Sequence, residues 1–265
     1  MHRAFPTKPL TTPLIKRLAP LCLALALAGC AQREDLSLPG ITRDSLWQNV
    51  QKRCLGPSDA RHPDCAIVDR QRGFVLYKDA IGTSHYLVIP DHEVSGVDSH
   101  AVWQDGHPNQ WAFGWDARGM VGKALGKSLP DDMLGLAINA RASRSQDQLH
   151  IHLDCISEAA RAFVHGSAGA IGTTWSALRY QGKPVRAVLI PSPPAPMDFN
   201  AFDVVRNGLD LSPEAVADRG VFVTYVAGSE GKSGFVVVDE PVDRQAGSNG
   251  HASDFLDRRC RLAGG

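Results

Sequence analysis

The chain has 265 residues, with 28 Lys and Arg against 28 Asp and Glu, so its formal net charge is zero. That balance excludes a nucleic-acid binder acting through bulk positive charge and an acidic solvating tail. With 43% hydrophobic and 21% charged residues, it can bury a sizeable core and is not intrinsically disordered.

The first element is an address. Residues 1–17 carry Arg3, Lys8, Lys16 and Arg17 and no acid, and an apolar run follows from Leu18 to Ala28. Eleven residues are too few to cross a bilayer, which needs about 20. A basic segment followed by an apolar run of this length reads as an export signal. The run ends Leu27-Ala28-Gly29-Cys30, which resembles the bacterial lipobox. That resemblance implies cleavage before Cys30 and diacylation of its thiol, sufficient for stable anchoring to a bilayer. Removing residues 1–29 leaves 236, with 24 basic against 28 acidic side chains. The expected location is the bacterial cell envelope, facing the periplasm, on a membrane that the sequence does not specify.

Residues 30–43 read as a tether and 44–265 as the folded domain, with a change of character near 166–184. Cys22 leaves with the leader, so Cys54, Cys65, Cys155 and Cys260 remain. An even number in an exported chain suggests two disulfides, for which three connectivities exist. Cys54–Cys65, closing a Pro-bearing loop, with Cys155–Cys260 is the favoured pairing. Zinc is the competing reading, weakened because no C-x-x-C pair occurs.

Helix is expected from Asp44 to Cys54, with Leu46, Trp47 and Val50 on one side. Phe74–Tyr77 and Tyr86–Ile89 read as a β-hairpin. Residues 91–108 are polar and irregular. Trp111–Leu125 reads as one helix; with Trp103, its aromatic residues are core or line a path for apolar chains. Leu134–Asn139 is an expected strand, Arg141–Asp147 a polar turn, Gln148–Ile156 another strand and 157–165 a helix. Further on, Val185–Ile190 is a strand, 200–207 and 213–218 are short helices, 221–226 and 235–238 form a second hairpin, and 252–260 is a last helix. The hairpins at 74–89 and 221–239 match in length and type. Either the second half duplicates or extends the first, or these are simply two hairpins.

Gln148-Leu149-His150-Ile151-His152-Leu153 alternates strictly. Strand periodicity puts Gln148, His150 and His152 on one face, with the imidazoles about 7 Å apart. Two surface histidines on an amphipathic strand is the bland alternative. A two-His metal site lacks an obvious third ligand.

The order Leu134-Gly135-Leu136-Ala137-Ile138-Asn139, a turn bearing Ser143 and Ser145, then Gln-Leu-His-Ile-His-Leu resembles the histidine-triad superfamily. Leu87-Val88-Ile89-Pro90-Asp91-His92 is similar to that superfamily's ligand-cleft hairpin. The anchor at Cys30, the Cys54 and Cys65 pair, Cys155 just after the His motif and Cys260 near the end resemble one branch, the bacterial CDP-diacylglycerol pyrophosphatases. The likeness spans about 44–262. It implies an α+β fold, a histidine-triad-like antiparallel sheet with flanking helices. It implies hydrolysis of CDP-diacylglycerol to CMP and phosphatidate through a nucleotidyl-histidine. It carries the nucleophile to His150 and phosphate contacts to His152, Gln148, Ser145 and Asn139. His92 is a cleft candidate, and Lys78, Arg141 and Arg144 are further sources of charge. No cofactor, metal or nucleic acid is implied; the partners are the lipid substrate and the bilayer. The first triad histidine is Gln148 here, and an amide neither carries charge nor moves a proton. Two other readings remain: a hydrolase or transferase of a soluble nucleotide diphosphate ester, and a non-catalytic nucleotide-binding envelope lipoprotein.

Overall fold

The computed structural model describes residues 42–57, 62–228 and 233–264. The leader, the lipobox with Cys30 and most of the tether lie outside the described residues. Among those described there are five α-helices and one large antiparallel sheet. None of these helices is long and apolar enough to cross a membrane.

The strands are β1 (Cys65–Asp69), β2 (Phe74–Lys78), β3 (Tyr86–Pro90), β4 (Leu134–Ile138), β5 (Ile151–Cys155), β6 (Ser176–Tyr180), β7 (Lys183–Pro191), β8 (Arg219–Val226), β9 (Gly234–Asp243) and β10 (Ser248–Asn249). They run in the order β1-β2-β3-β5-β4-β8-β9-β7-β6, with β10 on β9. The two expected hairpins form β2–β3 and β8–β9, on either side of the β5–β4 pair.

The helices are α1 (Ser45–Arg53), α2 (Gln110–Asp116), α3 (Gly119–Leu125), α4 (Glu158–Gly166) and α5 (Ala201–Gly208). Caps explain several starts. The Asn109 side chain accepts from Ala112 N, Ser157 from Ala160 N and Asn200 from Phe202 N, each filling an orphan donor of a first turn. α3 stops at Gly126, whose φ of 64° suits the left-handed cap glycine tolerates.

The sheet is covered on both faces. On one, Leu76, Val88, Leu136, Ile151, Leu153, Val223 and Val237 pack against Trp111, Phe113, Trp115 and Phe202 in the main core. α2 lies close because position 114 is glycine: a Cβ there would stand 2.9 Å from Leu136 Cδ2 and 3.0 Å from Val88 Cγ2. On the other face, strand alternation sends Val75, Tyr77, Leu87 and Ile89 to α1, and Ala137, Phe222, Val236 and Val238 to α4 and Phe255.

Cys54 is bonded to Cys65 and Cys155 to Cys260, so these residues hold no zinc. With separations of 11 and 105 residues, chain-entropy arguments assign about 3 and about 5 kcal/mol to them.

Several expectations need correction. The single helix over 111–125 is two, because the chain tightens at Ala117 and Arg118, where Arg118 N bonds Trp115 O three residues back. The strand expected from Gln148 starts in the ladder only at Ile151, since Leu149 N bonds Val94 O in a loop instead. The helices expected at 213–218 and 252–260 shrink to 3-10 turns at Ala215–Asp218 and Ala252–Phe255. β1, β6 and β10 were not anticipated. Trp103, Trp111, Phe113 and Trp115 are all core, which removes them as a surface path for lipid chains.

Candidate active site

β5 sends Ile151, Leu153 and Cys155 into the main core, so His152 and Asp154 face the other side. The neighbours of His152 in the ladder are Leu87, under α1, and Ala137, under α4. The two satellite cores therefore leave a polar strip between them, and the candidate residues lie along it.

His150, 7% exposed, stands just before the ladder. Its Nδ1 lies 2.6 Å from the carbonyl of Gln148. A carbonyl only accepts, so Nδ1 carries the proton and the Nε2 lone pair is free. Burial pushes its pKa below the ordinary imidazole value. The rings of His150 and His152 meet edge to face with centroids 4.9 Å apart, closer than strand rise predicts.

His152 is held at both nitrogens. Nδ1 is 3.0 Å from His85 Nε2, and His85 Nδ1 is 3.0 Å from Asp79 Oδ2. On its other side Asn139 Nδ2 approaches Nε2 at 3.5 Å, while Asn139 Oδ1 accepts from Ser253 N at 2.9 Å. The ends of this chain fix its direction. The Ser253 N–H orients the Asn139 amide, whose NH₂ only donates, so His152 keeps its proton on Nδ1 and gives it to His85. His85 gives its own to the Asp79 carboxylate. Burial and then the neighbouring His150 push the His152 pKa well below its usual value.

Asp79 and His85 were missed by sequence reasoning. They sit in the β2–β3 turn and at the threshold of β3, about 70 residues from the motif, and no local spacing links them. Asp154 shares the strip, with Oδ1 taking the Ser84 hydroxyl at 2.6 Å, and burial raises its pKa.

Of the other sequence candidates, Gln148 and Arg144 help to wall the same small recess as His150 and Asn139, while His92, Ser145, Lys78 and Arg141 do not. Gln148 is fully buried with its amide spent on backbone: Oε1 accepts from Val94 N at 3.1 Å and Nε2 donates to His92 O at 3.0 Å. His92 offers only that carbonyl; its ring is 65% exposed and pairs with Asp91. Ser145 is exposed, away from the recess of about 10 Å³ beside His150 that Gly96, Asn139 and Arg144 help to wall. Lys78 closes the β2–β3 turn on the carbonyls of Asp79 and Gly82, and Arg144 is paired with Asp98 and Asp147. Arg141 is exposed, and its backbone N–H bonds Ala217 O. No three His, Cys, Asp or Glu side chains converge as metal ligands among the described residues.

Comparison with known proteins now bears on this geometry. A family model described as CDP-diacylglycerol pyrophosphatase matches residues 41–264. The chain belongs to this family. It is also 41% identical over 118 residues to a probable CDP-diacylglycerol pyrophosphatase of Mycobacterium leprae (strain TN), an alignment covering 44% of this chain and 44% of that relative. The family match contains every residue of the Asp79–His85–His152–Asn139 chain as well as His150. It leaves outside only the leader, the lipobox and the start of the tether among the segments singled out from sequence.

Proposed function

We propose that this protein hydrolyses CDP-diacylglycerol to CMP and phosphatidate, with His150 as the nucleophile. The observation that carries the reading is the 2.6 Å contact between His150 Nδ1 and the Gln148 carbonyl, in a chain of this family. It leaves a neutral, oriented imidazole with its lone pair on Nε2. His150 Nε2 attacks the cytidylyl phosphorus in line. The P–N bond forms as the bond to the bridging oxygen breaks, and phosphatidate departs with that electron pair.

In the adduct the His150 ring keeps its proton on Nδ1, donated to the Gln148 carbonyl, and the ring is cationic, so His150 is a good leaving group. Water then attacks, and the P–N electron pair returns to Nε2. His152 Nε2 takes the water's proton while its Nδ1 proton passes to His85 beside Asp79. Two easier steps replace one hard one. Asn139 is the neutral donor at hand for the non-bridging oxygens. The parallel with the histidine-triad superfamily in fold and nucleophile belongs to this proposal.

Anchoring through a lipidated Cys30 in a bacterial envelope would confine enzyme and diacyl substrate to one surface, raising their effective concentration. A soluble nucleotide diphosphate ester is the alternative substrate. The test is CMP release from CDP-diacylglycerol by the wild type and by His150→Ala. We expect turnover in the first and a loss of at least 10³-fold in the second. Equal rates would remove His150, and turnover of soluble esters alone would remove the lipid substrate. Cys30→Ser should move the protein from the membrane fraction to the soluble one.

A further inference from the structure

The proposed reaction needs positive charge on a pyrophosphate, and the strip itself supplies little. Burial favours the neutral forms of His150 and His152, Gln148 replaces one imidazole with an amide, and Lys78 and Arg144 are occupied. A groove of about 510 Å³ lies next to the strip, lined by His251, Ser253, Asp254 and Arg258 among others. Ser253 joins it to the site directly, since its N–H holds the Asn139 amide that faces His152.

Arg258 forms the other edge. Position 82 is glycine with φ 89°, and a Cβ there would stand 3.0 Å from Arg258 Cβ and 3.2 Å from His85 Cβ. Arg258 and His85 are thus close neighbours across a residue with no side chain. The Arg258 side chain is exposed and makes no hydrogen bond or ion pair among the described residues, yet its charge acts on His152 and Asp79. Asp254, the acid in the groove, is already held by His251 at 2.7 Å and Lys183 at 3.1 Å. The Cys155–Cys260 disulfide ties this segment to the end of β5, two residues past Arg258.

From this juxtaposition we infer that the groove receives the leaving phosphate, with Arg258 as its principal ligand. The inference rests on the proposed reaction. In-line transfer puts the leaving oxygen opposite the attacking nitrogen. Arg144 walls the small recess beside His150, whereas Arg258 lines the groove that Ser253 and Asn139 connect to His152, so the two arginines stand at different openings of the site. As the P–O bond breaks, negative charge accumulates on the phosphatidate oxygen, where a guanidinium can take it in a bidentate pair.

The experiment uses the full chain in detergent micelles and follows CMP release. Arg258→Ala should lower kcat/KM by about 100-fold, the scale of one transition-state donor, with partial recovery in Arg258→Lys. Inhibition by phosphatidate should weaken about tenfold in Arg258→Ala while inhibition by CMP stays unchanged. Unaltered turnover in Arg258→Ala, or equal weakening of both inhibitors, overturns this assignment while leaving His150 chemistry standing. A wild type that releases no CMP overturns both.

Discussion

His85 Nε2 lies 3.0 Å from Nδ1 of His152, with the two rings stacked at 15°. The pair ties the β2–β3 turn to the central strand, and Asp79 anchors its far end. It also sets which nitrogen of His152 carries the proton. Replacing His85 by Ala removes the acceptor for the Nδ1 proton and frees the ring. We expect kcat to fall about 10²-fold with KM little changed, the range for a misplaced acid–base group. Asp79→Asn should cost less. The double variant should be no worse than His85→Ala alone, because both act through one chain. Additive losses would show that Asp79 works elsewhere.

Gln148 invites a different expectation. A histidine here would match the histidine-triad pattern by residue type, but the amide is a clamp: one atom accepts from Val94 and the other donates to His92. An imidazole cannot satisfy both at that geometry, and a buried backbone group left unpaired costs about 1–3 kcal/mol. Gln148→His should therefore lower the urea midpoint without raising kcat. A gain in rate at unchanged stability would place the side chain on substrate instead.

The pH response carries opposing signs. Arg43 first, then Arg144, hold Asp147 down to about 2, so its stabilisation is complete above about pH 4 and disappears as pH falls toward 2. His150 and His152, depressed by burial, oppose protonation of the folded state, so stability also drops as pH falls below about 6.5. Asp239 runs the other way. Burial raises it to about 6, and its carboxylate stands 3.5 Å from Arg219 without a hydrogen bond. Its folded form binds a proton that the unfolded chain has lost, so stability declines as pH rises from about 4 through 6. Asp239→Asn should shift the urea midpoint upward more at pH 7 than at pH 4. A shift equal at both pH values would show that Asp239 does not titrate in this window. Activity should fall on the acid side alone, with a break below about 6.5, because the attack proposed for His150 needs an unprotonated Nε2.

Local physics made much of the fold readable. Continuous apolar runs marked β2, β3, β4 and β8, because each has one face in the main core and one in a satellite core. Side chains that cap their own first turn, such as Ser157, act within three residues and so mark helix starts locally. β6 was harder, since its exposure alternates without the apolar content that flags a strand. The break at Ala117 was hidden because apolar residues continue across it.

The sequence by itself determined the pairing of β5 with a catalytic-looking histidine doublet, the even set of cysteines and the family resemblance, all of which are matters of residue type and order along the chain. Only the tertiary structure decided which polar groups converge. It brought Asp79 and His85 from one turn, Asn139 from just past β4 and Ser253 from the C-terminal segment to His152, set Arg258 in the adjoining groove, and tied the Gln148 amide to backbone. The physical reason is that a buried polar atom must find a partner wherever the fold supplies one. Those partners lie up to 114 residues apart, as for Asn139 and Ser253, a distance over which spacing in the sequence carries no geometric information.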